Sequence, residues 1–249
     1  MAIVLHQFEF SHFNEKARWA LDFKEIPHDR ISYLPGPHRR IIQRLTGQSQ
    51  TPVLEADGEY TAGSAAIIDR LEVQFPDHPL YPEDGADRAA ALTLQDQMDG
   101  VLGPAARTVV FSALIGEGAY VTSMFARGKP ALKRRLYRAI FPLARGMIAK
   151  GNGVDDPDNV RICFDTTADW LDSLAARVGP SGHLVGDRFS VADLTAAALL
   201  APIADVEHAD MRRPRPIPGS VMEVLNRFTG HPTLDWVRET YARHRPIRH

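Results

Sequence analysis

Gln50, Thr51, Pro52, Val53 and Leu54, followed by Asp57-Gly58 and then Gly63-Ser64, are spaced to hold a small polar ligand. Pro52 has no N–H to give to a sheet, and an X-Pro bond is the peptide bond that adopts cis at useful frequency. A proline just ahead of a short apolar strand reads as a bend that presents backbone groups outward. Ser64 opens a helix, where a hydroxyl and unpaired N–H groups form a ready anion site. The two features lie 12 residues apart and together suggest a pocket for a peptide-like or carboxylate ligand.

The surrounding elements must place these groups. Residues 2–8 read as a strand, and 12–24 as a helix with Phe13, Ala17, Ala20 and Leu21 on one face. Residues 28–34 read as a second strand and 37–45 as a second helix. Short strands follow at 52–55 and 59–61, joined through the Asp57-Gly58 turn signal, and the helix from Ser64 carries Ile67, Ile68, Leu71 and Phe75 inward. The order β-α-β-α-β-β-α gives a small mixed sheet with helices packed on it. Pro76, Pro79 and Pro82 forbid a helix and read as a linker. Beyond it the pattern predicts only helices, at about 87–115, 130–149, 157–178, 190–205, 220–229 and 233–243. The expected domains are 1–79, a linker over 80–87, and an all-helical bundle over 88–249. Ser190 with Asp193 three residues on is a capping-box variant, and Phe189 with Leu194 can staple it. The helix from Leu194 to Leu200 is apolar nearly all round, as a buried core helix is.

Composition narrows the function. Of 249 residues, 44% are hydrophobic and 24% charged, the balance of a soluble globular chain. The net charge of −2 gives no reason to expect a nucleic-acid partner. No apolar run is long enough to span a bilayer, so no membrane partner is expected either. Met1 to His6 lacks the basic region of a signal peptide, and a cytoplasmic location is the expectation. The single cysteine, Cys163, excludes an internal disulfide or Cys-x-x-Cys pair and reads as a small hydrophobe on a helix face. The ten histidines form no metal motif.

With these residues in place the chain resembles the cytosolic glutathione transferases over essentially its whole length. Three motifs carry the resemblance: Ser11 to Leu21 at the first helix, Gln50-Thr51-Pro52-Val53-Leu54 with Ser64, and the Ser190 capping segment. The resemblance implies an α/β thioredoxin-like domain followed by an all-α bundle, with glutathione as co-substrate and no metal. Pro52 matches the cis-proline, and its neighbour Val53 would pair backbone-to-backbone with the cysteinyl part of glutathione. Ser64 matches the serine that binds the γ-glutamyl carboxylate, and Gln50 and Thr51 would line the same groove. Ser11 matches a serine that hydrogen-bonds the sulfur. Gly63 stands where the family usually has an acid, and Asn14 where close relatives often carry cysteine; Asn14 can still offer an amide hydrogen bond to a sulfur. Arg39, with His38 and Arg40, lies in the segment expected to hold the glycyl carboxylate. The implied partners are a small apolar electrophile and a second copy of the chain.

The implied chemistry is physically sound. A free thiol has a pKa near 8.5, and the thiolate is the nucleophile. Lowering that pKa by about two units takes roughly 2.7 kcal/mol, which a charged hydrogen bond and a helix dipole can supply. Each residue also has a plainer reading. Ser11 is equally a good N-cap, and His12 reads as a solvated histidine on the first turn. Met98, Val101, Val109, Val110 and Phe111 suit either an apolar substrate pocket or plain core. From Gly118 to Val154 there is no acid, while eight Lys and Arg crowd in. Because Leu132, Leu136, Ile140 and Leu143 supply a stripe to bury, a solvated basic face is the reading, ahead of an anion or membrane-surface patch. A further reading lets Arg134 and Arg135 line the second-substrate pocket. Residues 212–219 read as an extended, solvated loop. Three functional classes remain: a glutathione transferase, a non-catalytic binding or assembly module of the same fold, and a glutathione-dependent isomerase or dehalogenase.

Overall fold

The computed structural model describes residues 2–247. β1 (Ile3–Phe8) lies parallel to β2 (Asp29–Tyr33) and antiparallel to β3 (Val53–Ala56), and β3 pairs antiparallel with β4 (Glu59–Ala62). The sheet order is β2-β1-β3-β4. Asp57 and Gly58 both take positive φ, 54° and 79°, the geometry of a tight hairpin turn. Helices α1 (His12–Phe23), α2 (His38–Thr46) and α3 (Ser64–Gln74) complete the expected order.

The rest is helical: α4 (Gly85–Gln97), α5 (Gly103–Leu114), α6 (Gly118–Phe125), α7 (Ala131–Gly151), α8 (Pro157–Arg177), α9 (Val191–Ala204), α10 (Gly219–Asn226) and α11 (Pro232–His244). α4 starts two residues ahead of the helix start expected at about 87 because the Asp84 carboxylate accepts from the N–H groups of Ala86 and Asp87. α4 and α5 are joined by a π-helical turn, Met98–Leu102. Pro104 has no N–H for the Gly100 carbonyl, so the ladder widens there. Every residue of α9 is buried, and it packs on α1, α4, α5 and α11. Its capping box forms as expected: Asp193 accepts from the Ser190 N–H at 2.9 Å and from the Leu184 N–H at 2.8 Å. Phe189 turns to the rings of Trp19, Phe23 and His244. The linker is tied down, since Leu80 is buried and its carbonyl accepts from the Val191 N–H at 2.8 Å.

Two expectations fail. α6 has no counterpart in the sequence reading; at eight residues between Gly116 and Gly128 it is too short to show a clear period. The stripe Leu132, Leu136, Ile140 and Leu143 is exposed rather than buried. α7 buries Tyr137 and Phe141 instead, because α6 supplies the surface they pack on.

α1 is where the two regions meet, and it is buried on nearly every side. Lys16 Nζ lies 2.5 Å from an Asp99 carboxylate oxygen in the π turn, and the Trp19 indole N–H donates to the His244 carbonyl at 2.9 Å. Phe13 sits so close to Gly103 that a Cβ there would lie 2.5 Å from the ring.

Candidate functional site

Ser11 is the N-cap residue of α1, with extended backbone, yet its side chain makes no capping hydrogen bond. The plain N-cap reading therefore fails, and the hydroxyl has other business. Asn14, one turn on and fully buried, donates from Nδ2 to Ser11 Oγ at 2.7 Å and to Thr51 Oγ1 at 3.2 Å. Because Ser11 Oγ already accepts, its own hydrogen is free to point away from the protein. The Asn14 Nδ2 group thus serves Ser11 and Thr51, and Asn14 Oδ1 is buried with no hydrogen-bond partner among the described residues.

The Thr51–Pro52 bond is cis. Val53 opens β3, in register with His6 on one side and Ala62 on the other, with its side chain fully buried. The backbone just ahead of this ladder is that of Thr51. The Pro52 carbonyl accepts from the Gly63 N–H at 3.0 Å, which brings the start of α3 against the cis-proline bend. A chain of contacts therefore runs from Ser11 through Asn14, Thr51, Pro52 and Gly63 to Ser64.

Gly63 takes φ 95° and ψ 139°, a conformation open to glycine alone. A side chain there would meet nothing within 4 Å, so the backbone, rather than crowding, excludes one. Ser64 is the first residue of α3, buried, and its hydroxyl makes no hydrogen bond among the described residues. Gln50 and Arg39 are exposed, and neither side chain has a partner among the described residues. His38, half-buried with its ring 4.6 Å from that of Phe8, has its pKa lowered by burial.

His12 is not solvated. It is buried, its Nε2 lies 3.1 Å from the Gly103 carbonyl, and burial together with the charge of Arg107 pushes its pKa down to about 3. It is a neutral strut between α1 and α5. Of the apolar candidates, Met98 and Val109 are wholly buried core and Val101 faces solvent. Phe111 differs: its ring lies 6.4 Å from Phe125 of α6, which meets Phe8 at the end of β1 at 6.2 Å. That aromatic row, completed by His38, depends on the unforeseen helix. Arg134 and Arg135 are exposed on α7. The 212–219 segment is not simply solvated, because Arg213 is buried, pairs with Asp205 at 3.4 Å and lies 5.2 Å from the Phe10 ring centre, next to Ser11. The Tyr120 hydroxyl fixes the same loop through the Pro214 carbonyl at 2.9 Å.

One cluster escaped the sequence altogether. Glu15 is wholly buried and receives Arg18 Nε and Arg245 Nε at 2.8 Å each. Asp22 and Asp210 each pair with both Arg30 and Arg245. Burial raises the Asp210 pKa, and Arg18, Arg30 and Arg245 more than offset it, holding the carboxyl at about 2. Charges on a helix read as a solvated face, and the Glu15–Arg245 partners are 230 residues apart in sequence, so periodicity gave no signal. Among the described residues, Glu15, His208 and Asp210 are close enough to share an ion, but their charge is already met by guanidinium groups. A cavity of about 560 Å³ opens at Phe164, Asp172, Arg227 and His231, between α8 and the α10–α11 connection; it shares no residue with the Ser11 contacts.

Residues 5–79 match the family model described as the glutathione S-transferase N-terminal domain. The probable maleylacetoacetate isomerase 2 of Drosophila melanogaster is 32% identical over 91 residues, a match spanning 34% of this chain and 40% of that relative. The chain therefore matches well under half the length of that curated relative. Among solved structures, a glutathione S-transferase of Methylobacillus flagellatus with glutathione bound superposes with TM-score 0.64 at 16% identity, covering 97% of this chain and 95% of that one. A glutathione S-transferase of Methylobacterium radiotolerans in complex with glutathione sulfonate gives 0.61 at 19%, covering 100% and 97%. At these identities the likeness is one of fold. The family model covers about a third of the chain, and the chain as a whole has the fold of these glutathione S-transferases.

Proposed function

We infer that this chain binds glutathione and activates its thiol for attack on a small electrophile. The observation that carries the reading is the uncapped Ser11 hydroxyl, held as an acceptor by Asn14 and so left to donate outward. In this reading Ser11 donates to the sulfur and, with the first-turn N–H groups of α1, favours the thiolate. Asn14 acts through Ser11 as a positioning residue. The Thr51 backbone pairs with the cysteinyl peptide, replacing the role first given to Val53. Ser64 and the start of α3 take the γ-glutamyl carboxylate, Arg39 the glycyl carboxylate, and Gln50 lines the groove. Gly63 contributes backbone only, so the γ-glutamyl ammonium meets no carboxylate from that position. The aromatic row of Phe8, Phe111 and Phe125 favours an apolar second substrate. A homodimer in the cytoplasm is part of the same proposal.

Calorimetric titration with glutathione tests the binding half. The intact chain should bind, and Ser64→Ala should bind more weakly; equal heats from the two would remove the carboxylate contact. A glutathione-dependent isomerase is the second reading, favoured by the partial likeness to a probable maleylacetoacetate isomerase. Isomerisation returns glutathione, whereas transfer consumes it, so the free thiol remaining after turnover separates the two. A non-catalytic module would show neither turnover nor a depressed thiol pKa.

A further inference from the structure

We propose that the outer face of α7 docks on an anionic lipid surface. The helix is 21 residues long, about 31 Å at 1.5 Å per residue. It buries Tyr137 and Phe141 toward the protein. Leu132 (78% exposed), Leu136, Ile140, Leu143 (86% exposed) and Met147 form a separate row that faces solvent. At about 100° per residue these five fall within an arc of roughly 80°. The other large exposed apolar side chains, such as Val73, Val101 and Ile162, lie on other elements, and scattered exposed apolar residues are ordinary on any protein surface.

Charge selects the occupant. Lys133, Arg134, Arg135, Arg138, Arg145 and Lys150 are all exposed, and none of their side chains has an ion pair or hydrogen bond among the described residues. No acid lies anywhere between Gly118 and Val154, while the whole chain carries −2. The rest of the molecule is therefore strongly acidic, and an anionic surface both attracts α7 and repels the remainder, which sets the orientation. Two-fold packing of two α7 faces would bring two sets of unpaired cations together, which opposes a second copy as the occupant. The apolar row stands out from the surface instead of lining a groove. At the same 100° per residue Lys133, Arg135 and Lys150 fall within about 60° of the row, while Arg134, Arg138 and Arg145 fall on the far side of the helix; protruding Leu and Met side chains flanked by those three cations enter a fluid headgroup boundary without needing a shape-matched partner.

This contact is compatible with the absence, among the described residues, of any helix long and apolar enough to cross a membrane. The sequence reading set such a patch aside because the leucine stripe was expected to be buried; its exposure removes that reason.

The test is flotation of the full chain with phosphatidylcholine vesicles, with and without about 30 mol% phosphatidylserine. Recovery with the anionic vesicles should exceed that with neutral ones by about tenfold or more and collapse in high salt. Leu132→Gln with Leu143→Gln should abolish it, as should Lys133→Gln with Arg135→Gln. Circular dichroism should report an unchanged fold for both pairs, since all four side chains are exposed. Glutathione binding should also be unchanged, which separates this proposal from the thiol site. Equal recovery with both vesicle types, or full recovery of the leucine pair, would overturn the proposal. So would a change of oligomeric state in the leucine pair by light scattering, because the row would then belong to a contact between copies.

Discussion

Replacing Arg245 by methionine asks whether the buried ion cluster holds α1 in place. The guanidinium is fully enclosed and touches three carboxylates: Glu15 at 2.8 Å, Asp22 at 2.8 Å and Asp210 at 2.7 Å. Removing one partner of a buried pair costs roughly 3–5 kcal/mol, because the other charge is left without compensation. Here Glu15 keeps Arg18 and Asp210 keeps Arg30, so the low end, about 3 kcal/mol, is expected. For a chain of this size that corresponds to a fall in Tm of roughly 6–12 °C. The control is Arg243→Met on α11, whose exposed guanidinium pairs with Glu239 alone among the described residues; it should stay within about 0.5 kcal/mol. Thermal unfolding followed by circular dichroism at neutral pH reads both. A companion Glu15→Met with Arg245→Met should recover part of the loss, since an apolar pair avoids the stranded charge. The Glu15 N–H also donates to the Ser11 carbonyl at 2.8 Å, so glutathione affinity should fall in Arg245→Met and not in Arg243→Met. If the two single variants melt together, the cluster contributes nothing and the reasoning fails.

Acid sensitivity follows from His12. Its pKa is depressed from 6.5 to about 3 in the folded chain, so the unfolded chain binds the extra proton first. Stability from this group is complete above about pH 6.5 and is lost as pH falls toward 3, by several kcal/mol in all, on the order of 1.4 per pH unit. His12→Gln should flatten Tm against pH between about 6.5 and 4. Gly103→Ala forces the Phe13 ring to move and should cost about 1–2 kcal/mol in thermal unfolding, the gain in helix propensity offsetting part of the clash. Asp193→Ala leaves the buried Leu184 and Ser190 N–H groups without their acceptor and should cost about 3 kcal/mol, read the same way.

Local chemistry was legible in the sequence and long-range pairing was not. The cis bond at Pro52, the Asp57-Gly58 turn, the Ser190 cap and the all-round burial of α9 each follow from neighbouring residues, and each is present. That the Ser11 hydroxyl makes no cap bond and meets Asn14 instead was not legible, because Asn14 is held in turn by Thr51 across 37 residues of chain. α1 shows one apolar face in sequence, yet Glu15, Lys16 and Arg18 are buried too, paired with the distant Arg245, Asp99 and Asp210 respectively, and Glu15 with Arg18 as well. The α7 pattern was read with the right period and the wrong face, because periodicity identifies a stripe without saying what covers it. α6 was missing from the reading, and with it the ring of Phe125 and the hydroxyl of Tyr120.

The most direct measurement is an ultraviolet titration of the thiolate of glutathione bound to the intact chain and to Ser11→Ala. The bound thiol should ionise about two units below its free value near 8.5, and Ser11→Ala should return at least one of those units. A bound thiol that titrates like the free one, or identical curves for the two proteins, would contradict the role given to Ser11.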